Sequence, residues 1–163
     1  MKGDRGTLDA NSPSQFGHLQ EIMDFAIDKE QEAIDFYTGL AAMARWEAIA
    51  NELRSIAAME ISHKQKLQAL NVGRAATTVN PRAVDMKIGD YLVESQPSAD
   101  MTWQDILSIA MKRELSAMKL YEDLASIVGD PNAQQLFQNL SAEESKHKLY
   151  FESVWDKEIL QEN

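Results

Sequence analysis

"SAEESKHKLYF", residues 141–151, decides how this chain is read. Side chains three, four and three positions apart share one face of an α-helix, and that stepping gives the stripe Phe137, Leu140, Glu144, His147, Phe151, Val154. Four of the six are apolar, so the stripe faces a core. A carboxylate and an imidazole are thereby held out of water, where an uncompensated charge is expensive or is neutralised by a shifted pKa. Their burial calls for a compensating partner.

The same stepping finds three more stripes, each with a polar residue near its middle. A first helix is expected from about Ser12 or Pro13 to about Ala44, with Met23, Ala26, Glu30, Ala33, Tyr37 and Leu40 in line. A second runs from about Trp46 to Asn71 and stops before Gly73, carrying Leu53, Ile56, Glu60, His63, Leu67 and Leu70. A third starts near Thr102, where Thr102 and Asp105 resemble a capping box with Asp in the acidic place, and ends at Gly129; its stripe is Leu107, Ala110, Glu114, Ala117, Tyr121, Leu124. Gly129, Asp130 and Pro131 then close one helix and open the fourth, which reaches about Leu160.

Short joins within each pair of helices contrast with residues 73–101 between the pairs, a connection of 29 residues. Helices of this length are about 40 Å long, and such a connection spans them. The expectation is an all-α, ferritin-like four-helix bundle with a long crossover between helices 2 and 3. "VDMKIGDYLV", residues 84–93, reads as a short element packed on the outside. The 163 residues make one domain, with 1–12 a flexible tail.

Composition narrows the chemistry. With no cysteine, thiolate nucleophiles, disulfides and sulfur-ligated metal centres are excluded, so any metal sits on oxygen and nitrogen. A formal net charge of −10 disfavours nucleic acid and anionic membrane surfaces as partners. No apolar run is long enough to cross a bilayer, and the polar start "MKGDRGTLDANSPSQ" lacks the apolar stretch of a signal peptide, which gives cytoplasmic as the expected location. His18 is expected at the surface, Trp46, Trp103 and Trp155 against the helix ends, and the eight methionines in the core.

The chain also repeats. A shift of 84 positions (114 − 30, 144 − 60) places Glu30 on Glu114, Ala33 on Ala117, Tyr37 on Tyr121, Glu60 on Glu144 and His63 on His147. Two helical hairpins of one design imply a near two-fold axis between them. Packing about that axis gathers four carboxylates and two imidazoles in one layer, with Ala33 and Ala117 leaving room. Two divalent or trivalent cations compensate the glutamates, four of which offset the charge of two M²⁺, and oxygen ligands with one nitrogen per ion suit iron or manganese, with zinc able to substitute.

The quartet "AIDKEQEAIDFY" (26–37), "MEISHKQKL" (59–67), "AMKRELSAMKLY" (110–121) and "EESKHKLYF" (143–151) resembles the rubrerythrin branch of the ferritin-like superfamily. The resemblance implies two iron ions bridged by Glu60 and Glu144, with Glu30 and His63 completing one side and Glu114 and His147 the other. It implies that Tyr37 and Tyr121 donate hydrogen bonds to ligating carboxylates, and Glu143 is a candidate to orient an imidazole. Two departures stand out. The four-cysteine rubredoxin domain of rubrerythrins does not appear, and Ala117 stands where they have a further glutamate. Ile61 follows Glu60 in place of a haem-holding methionine, so haem is not implied.

The expected function is that of a non-haem di-iron oxidoreductase, a peroxidase or ferroxidase reacting with hydrogen peroxide or O₂ in defence against oxidative stress. It would draw electrons from an external donor protein. A homodimer fits the superfamily, although no sequence feature marks an interface. Two alternatives are iron storage or handling without turnover, and a bundle that metals merely staple.

Overall fold

The structure, a computed structural model, describes residues 15–77, 79, 86–93, 97–98 and 100–162. Helix α1 spans Gln15–Met43, α2 Glu47–Ala69, α3 Val72–Ala76, α4 Trp103–Ile127 and α5 Pro131–Glu162, with a 3₁₀ turn at Ile88–Tyr91. Among the described residues there is no strand. Helix α1 packs along α2 and α4 along α5, which makes the two hairpins; between hairpins, α2 approaches α5. No described helix is long and apolar enough to cross a membrane.

Local chemistry accounts for the starts of three of the helices. Thr102 accepts from the Asp105 amide at 3.1 Å while Asp105 accepts from the Thr102 amide at 3.0 Å, so two donors at the start of α4 are satisfied reciprocally. Asp130 caps α5 by accepting from the Ala133 amide at 3.0 Å, and Pro131 takes the first helical position, where a missing N–H loses nothing. The expected end of helix 2 is corrected. It ends at Ala69, Leu70 turns extended, and Gly73 lies inside α3, whose first turn is capped by Asn71 accepting from the Arg74 amide at 3.0 Å. Nor does Gly129 end its helix in a left-handed turn: α4 stops at Ile127, Val128 is extended, and no described glycine has positive φ.

Within the crossover, the 3₁₀ turn lies against α4. Ser116 Oγ donates to the Tyr91 carbonyl at 2.6 Å, and the Tyr91 hydroxyl donates to Asp123 at 2.6 Å. The buried Tyr91 ring fastens this turn to the bundle. The expected tail at 1–12, the helix start at Ser12 or Pro13, and Val84 and Asp85 of the expected outer element lie outside the described residues.

Two apolar clusters fill the bundle. One gathers Leu19, Met23, Leu67, Leu120, Leu124 and Phe137; the other gathers Leu40, Leu53, Ile56, Leu107, Phe151 and Val154. Met23 belongs to this core, whereas Met43 is 70% exposed and is not core filler. Trp103 and Trp155 pack against the second cluster, but Trp46 is more than half exposed, with Arg45 over its ring at 5.5 Å. His18 is half-buried. Along the stripes, the six residues Glu30, Glu60, His63, Glu114, Glu144 and His147 fall between the positions that feed the two clusters, and all six are buried.

Candidate metal centre

Each helix delivers its polar residues from mid-stripe: Glu30 from α1, Glu60 and His63 from α2, Glu114 from α4, Glu144 and His147 from α5. Spacing of three puts Glu60 and His63, and likewise Glu144 and His147, on one helix face. Helical hydrogen bonding consumes the backbone, so only side chains meet in the layer.

His63 Nδ1 is 2.8 Å from Glu144 Oε1, 3.2 Å from Glu60 Oε2 and 3.8 Å from Glu30 Oε1. His147 Nδ1 is 3.1 Å from Glu60 Oε1, 3.6 Å from Glu114 Oε2 and 3.7 Å from Glu144 Oε2. Two quartets result: Glu30, Glu60, His63, Glu144 and Glu60, Glu114, Glu144, His147. In each, one ligand atom per residue lies within 4.8 Å of the others, near enough to surround a single ion. Glu60 and Glu144 belong to both. The two imidazole rings stack at 6.1 Å between centroids, as the near two-fold axis requires.

The tyrosines work across that axis. Tyr37 of α1 donates its hydroxyl to Glu114 of α4, and Tyr121 of α4 donates to Glu30 of α1. Each tyrosine therefore holds the opposite hairpin's glutamate, not the one seven residues before it. Sequence spacing shows that a tyrosine is near the layer but cannot show which carboxylate it reaches.

Charge is poorly balanced among the protein atoms. Burial raises Glu30 well above the usual carboxylate range, and Glu60 adds to the shift. Burial raises Glu144 in the same way, reinforced by the charges of Glu114 and Glu60. At Glu60 burial pushes upward too, but interactions with Glu30, His147 and His63 overcome it and hold the carboxyl far below that range. Burial opposes protonation of His63, yet Glu60 and Glu30 outweigh it and push the ring up to about 9. At His147 burial is again outweighed, by Glu114, Glu144 and Glu60, and the value reaches about 12. Burial, then the charge of Glu114, keeps Tyr37 protonated as a donor; burial, then Glu30, does so for Tyr121.

Glu30 Oε2 and Glu114 Oε2 are buried without hydrogen-bond partners. An orphaned buried carboxylate oxygen is costly, and the pair marks where positive charge is missing. The donor set, carboxylate oxygens with one imidazole nitrogen per quartet, fits iron or manganese.

A cavity of about 40 Å³ adjoins the layer, lined by its four glutamates and by neither histidine. Glu30, Glu60, Glu114 and Glu144 line it together with Ala33 and Ala117, so the two alanines do leave space beside the carboxylates; Lys29, Arg113 and Tyr91 line it as well. Lys29 and Arg113 were not singled out in the sequence, though the shift of 84 that pairs Glu30 with Glu114 pairs them too. Lys29 bonds Glu32 at 2.8 Å, and Arg113 lies 3.7 Å from the same Glu32 with its guanidinium 4.9 Å from the Phe36 ring centroid.

An all-α bundle of two hairpins with a mid-core carboxylate and histidine cluster defines a ferritin-like protein. Two solved structures share the fold. One, described as a ferritin-like diiron-carboxylate protein of Thermotoga maritima, is 22% identical, with 86% of this chain and 95% of that chain covered at a TM-score of 0.65. The other, a hypothetical protein of Pyrococcus furiosus, is 23% identical, with 85% and 88% covered at a TM-score of 0.62. No curated protein matches the sequence. The rubrerythrin family profile matches residues 21–155, and the chain belongs to that family.

Proposed function

We propose that this protein is a non-haem di-iron oxidoreductase that reduces hydrogen peroxide or O₂. The observation that carries the reading is the pair of overlapping quartets, each with three carboxylates and one imidazole, sharing Glu60 and Glu144. These six residues would hold two ions, Glu30 and His63 serving one, Glu114 and His147 the other, with Glu60 and Glu144 common to both quartets. Bound iron would supply the electrons that reduce the oxidant.

The chain's own residues do the rest. Tyr37 and Tyr121 hold Glu114 and Glu30 in place, so the carboxylates keep their orientation when the charge in the layer changes. The apolar clusters exclude bulk water from the layer. The cavity beside Ala33 and Ala117 has room for a few atoms and admits small oxidants in preference to bulky ones. Electrons for turnover come from a donor outside this bundle, because the bundle itself has no cysteine for an iron–sulfur relay.

The test is to load the metal-free protein anaerobically with Fe(II) and mix it rapidly with peroxide or with O₂. The reading predicts oxidation of both irons with consumption of about one peroxide per chain. Iron that binds in pairs but stays ferrous in both oxidants would contradict it.

A further inference from the structure

His63 and His147 occupy matching places in the two hairpins but not matching surroundings. Nδ1 of each faces the carboxylates of the layer. The far nitrogen of His63, Nε2, hydrogen-bonds Glu143 Oε2 on α5. Among the described residues, no side chain bonds Nε2 of His147. The repeat explains why: the position equivalent to Glu143, 84 residues earlier (143 − 84), is Met59, which carries no acceptor of comparable strength. His63 is fully buried, while His147 retains 8% exposure.

On the reading that the layer holds two ions, we infer that Glu143 is a positioning residue that makes the His63 position the tighter of the two. The protein then loads its ions in order, first at Glu30 and His63, then at Glu114 and His147. An acceptor on Nε2 keeps the proton there when an ion displaces the one on Nδ1, so that the Nδ1 lone pair is directed at the space among Glu30, Glu60 and Glu144; it also fixes the ring plane and makes the imidazole a stronger donor to a metal. His147 has Nδ1 on the carboxylates too, but no side-chain acceptor among the described residues holds its Nε2 proton when the ion arrives. Loss of such an outer partner typically weakens metal affinity about 10- to 100-fold, which sets the expected gap between the two steps. A near two-fold site thus contains two inequivalent positions, and the difference traces to one pair of residues.

The experiment is an anaerobic Co(II) titration of the metal-free protein, followed by calorimetry and by visible absorption. Wild type is expected to bind two ions in two steps separated by about 10- to 100-fold. E143Q should weaken the first step by that factor and leave the second unmoved, so the steps merge. M59E should instead tighten the second. In the zinc-loaded protein, nitrogen-15 spectra of the histidines should show one slowly exchanging Nε2 proton that E143Q abolishes; a purely structural role for Glu143 would not move that signal. Fewer than two ions bound by wild type overturns the reading of the layer and this inference together. Two ions bound, with E143Q superimposing on wild type, overturns the inference alone. Should E143Q fail to fold, M59E carries the test, and a second step unmoved by M59E overturns the inference.

Discussion

Tyr37 and Phe151 stack at 5.3 Å in the second apolar cluster, and Tyr121 and Phe137 stack at 6.5 Å in the first. Between these pairs, Glu144 and His63 meet at 2.8 Å with two further glutamates close by. All are buried in one bundle, but they are held by different physics. In the apolar clusters, stability follows area and volume, and any cation is irrelevant. In the polar layer the protein atoms carry several acids, two imidazoles and two orphaned oxygens, and that set is satisfied only when positive charge arrives. The clusters make the fold; in the layer, protons held by His63, Glu30 and Glu144 offset part of the buried charge, and a bound ion would take over that role.

The largest effect should come from breaking the layer. Glu144→Ala removes a residue common to both quartets, and metal analysis after iron loading should find two ions per chain in wild type and one or none in the variant. An unchanged stoichiometry would contradict the bridging role. Next, Phe151→Ala should lower unfolding stability by about 3–5 kcal/mol in both metal-free and metal-loaded protein, because it empties a fully buried site. Chemical denaturation with and without metal checks it, and metal stoichiometry should survive. Together the two variants separate site from scaffold.

A pH series sharpens the contrast further. His63 sits at about 9 in the folded protein against an ordinary 6.5, so its contribution is complete below pH 6.5 and is lost as pH rises through 9. Burial-raised Glu30 and Glu144 act in the same sense, since the folded state keeps protons that the unfolded chain has released. Glu60, held low, contributes above its unfolded value and is constant in this window. Metal-free protein should therefore lose about 5 °C or more in Tm between pH 6.5 and 9. The Tm gain on adding metal should grow over the same range, because ions compete with those protons. A smaller effect is expected for Tyr37→Phe, which removes the donor to Glu114: metal affinity should fall about 10-fold by titration with little change in metal-free Tm.

The layer was legible in the sequence because helical periodicity makes a polar residue on an apolar stripe conspicuous, and an exact shift of 84 doubled the signal. Helix α4 was legible to its capping box. The pairing of Tyr37 with Glu114 was not, since a contact across the two-fold axis has no fixed spacing. Gly73 misled: glycine often closes a helix, but here Asn71 offered a better cap and a short helix formed over it. Trp46 and Met43 misled because a helix-end residue is apolar by type whether or not a neighbour covers it. Lys29 and Arg113 line the cavity and are repeat partners, so the shift that found the glutamates reaches them as well.

The most direct test is the number of ions per chain retained by wild-type protein after anaerobic Fe(II) loading and gel filtration, measured beside a Glu60→Ala, Glu144→Ala double variant. The account predicts two for the wild type and none for the variant. Equal iron in both proteins, or none in either, would contradict it.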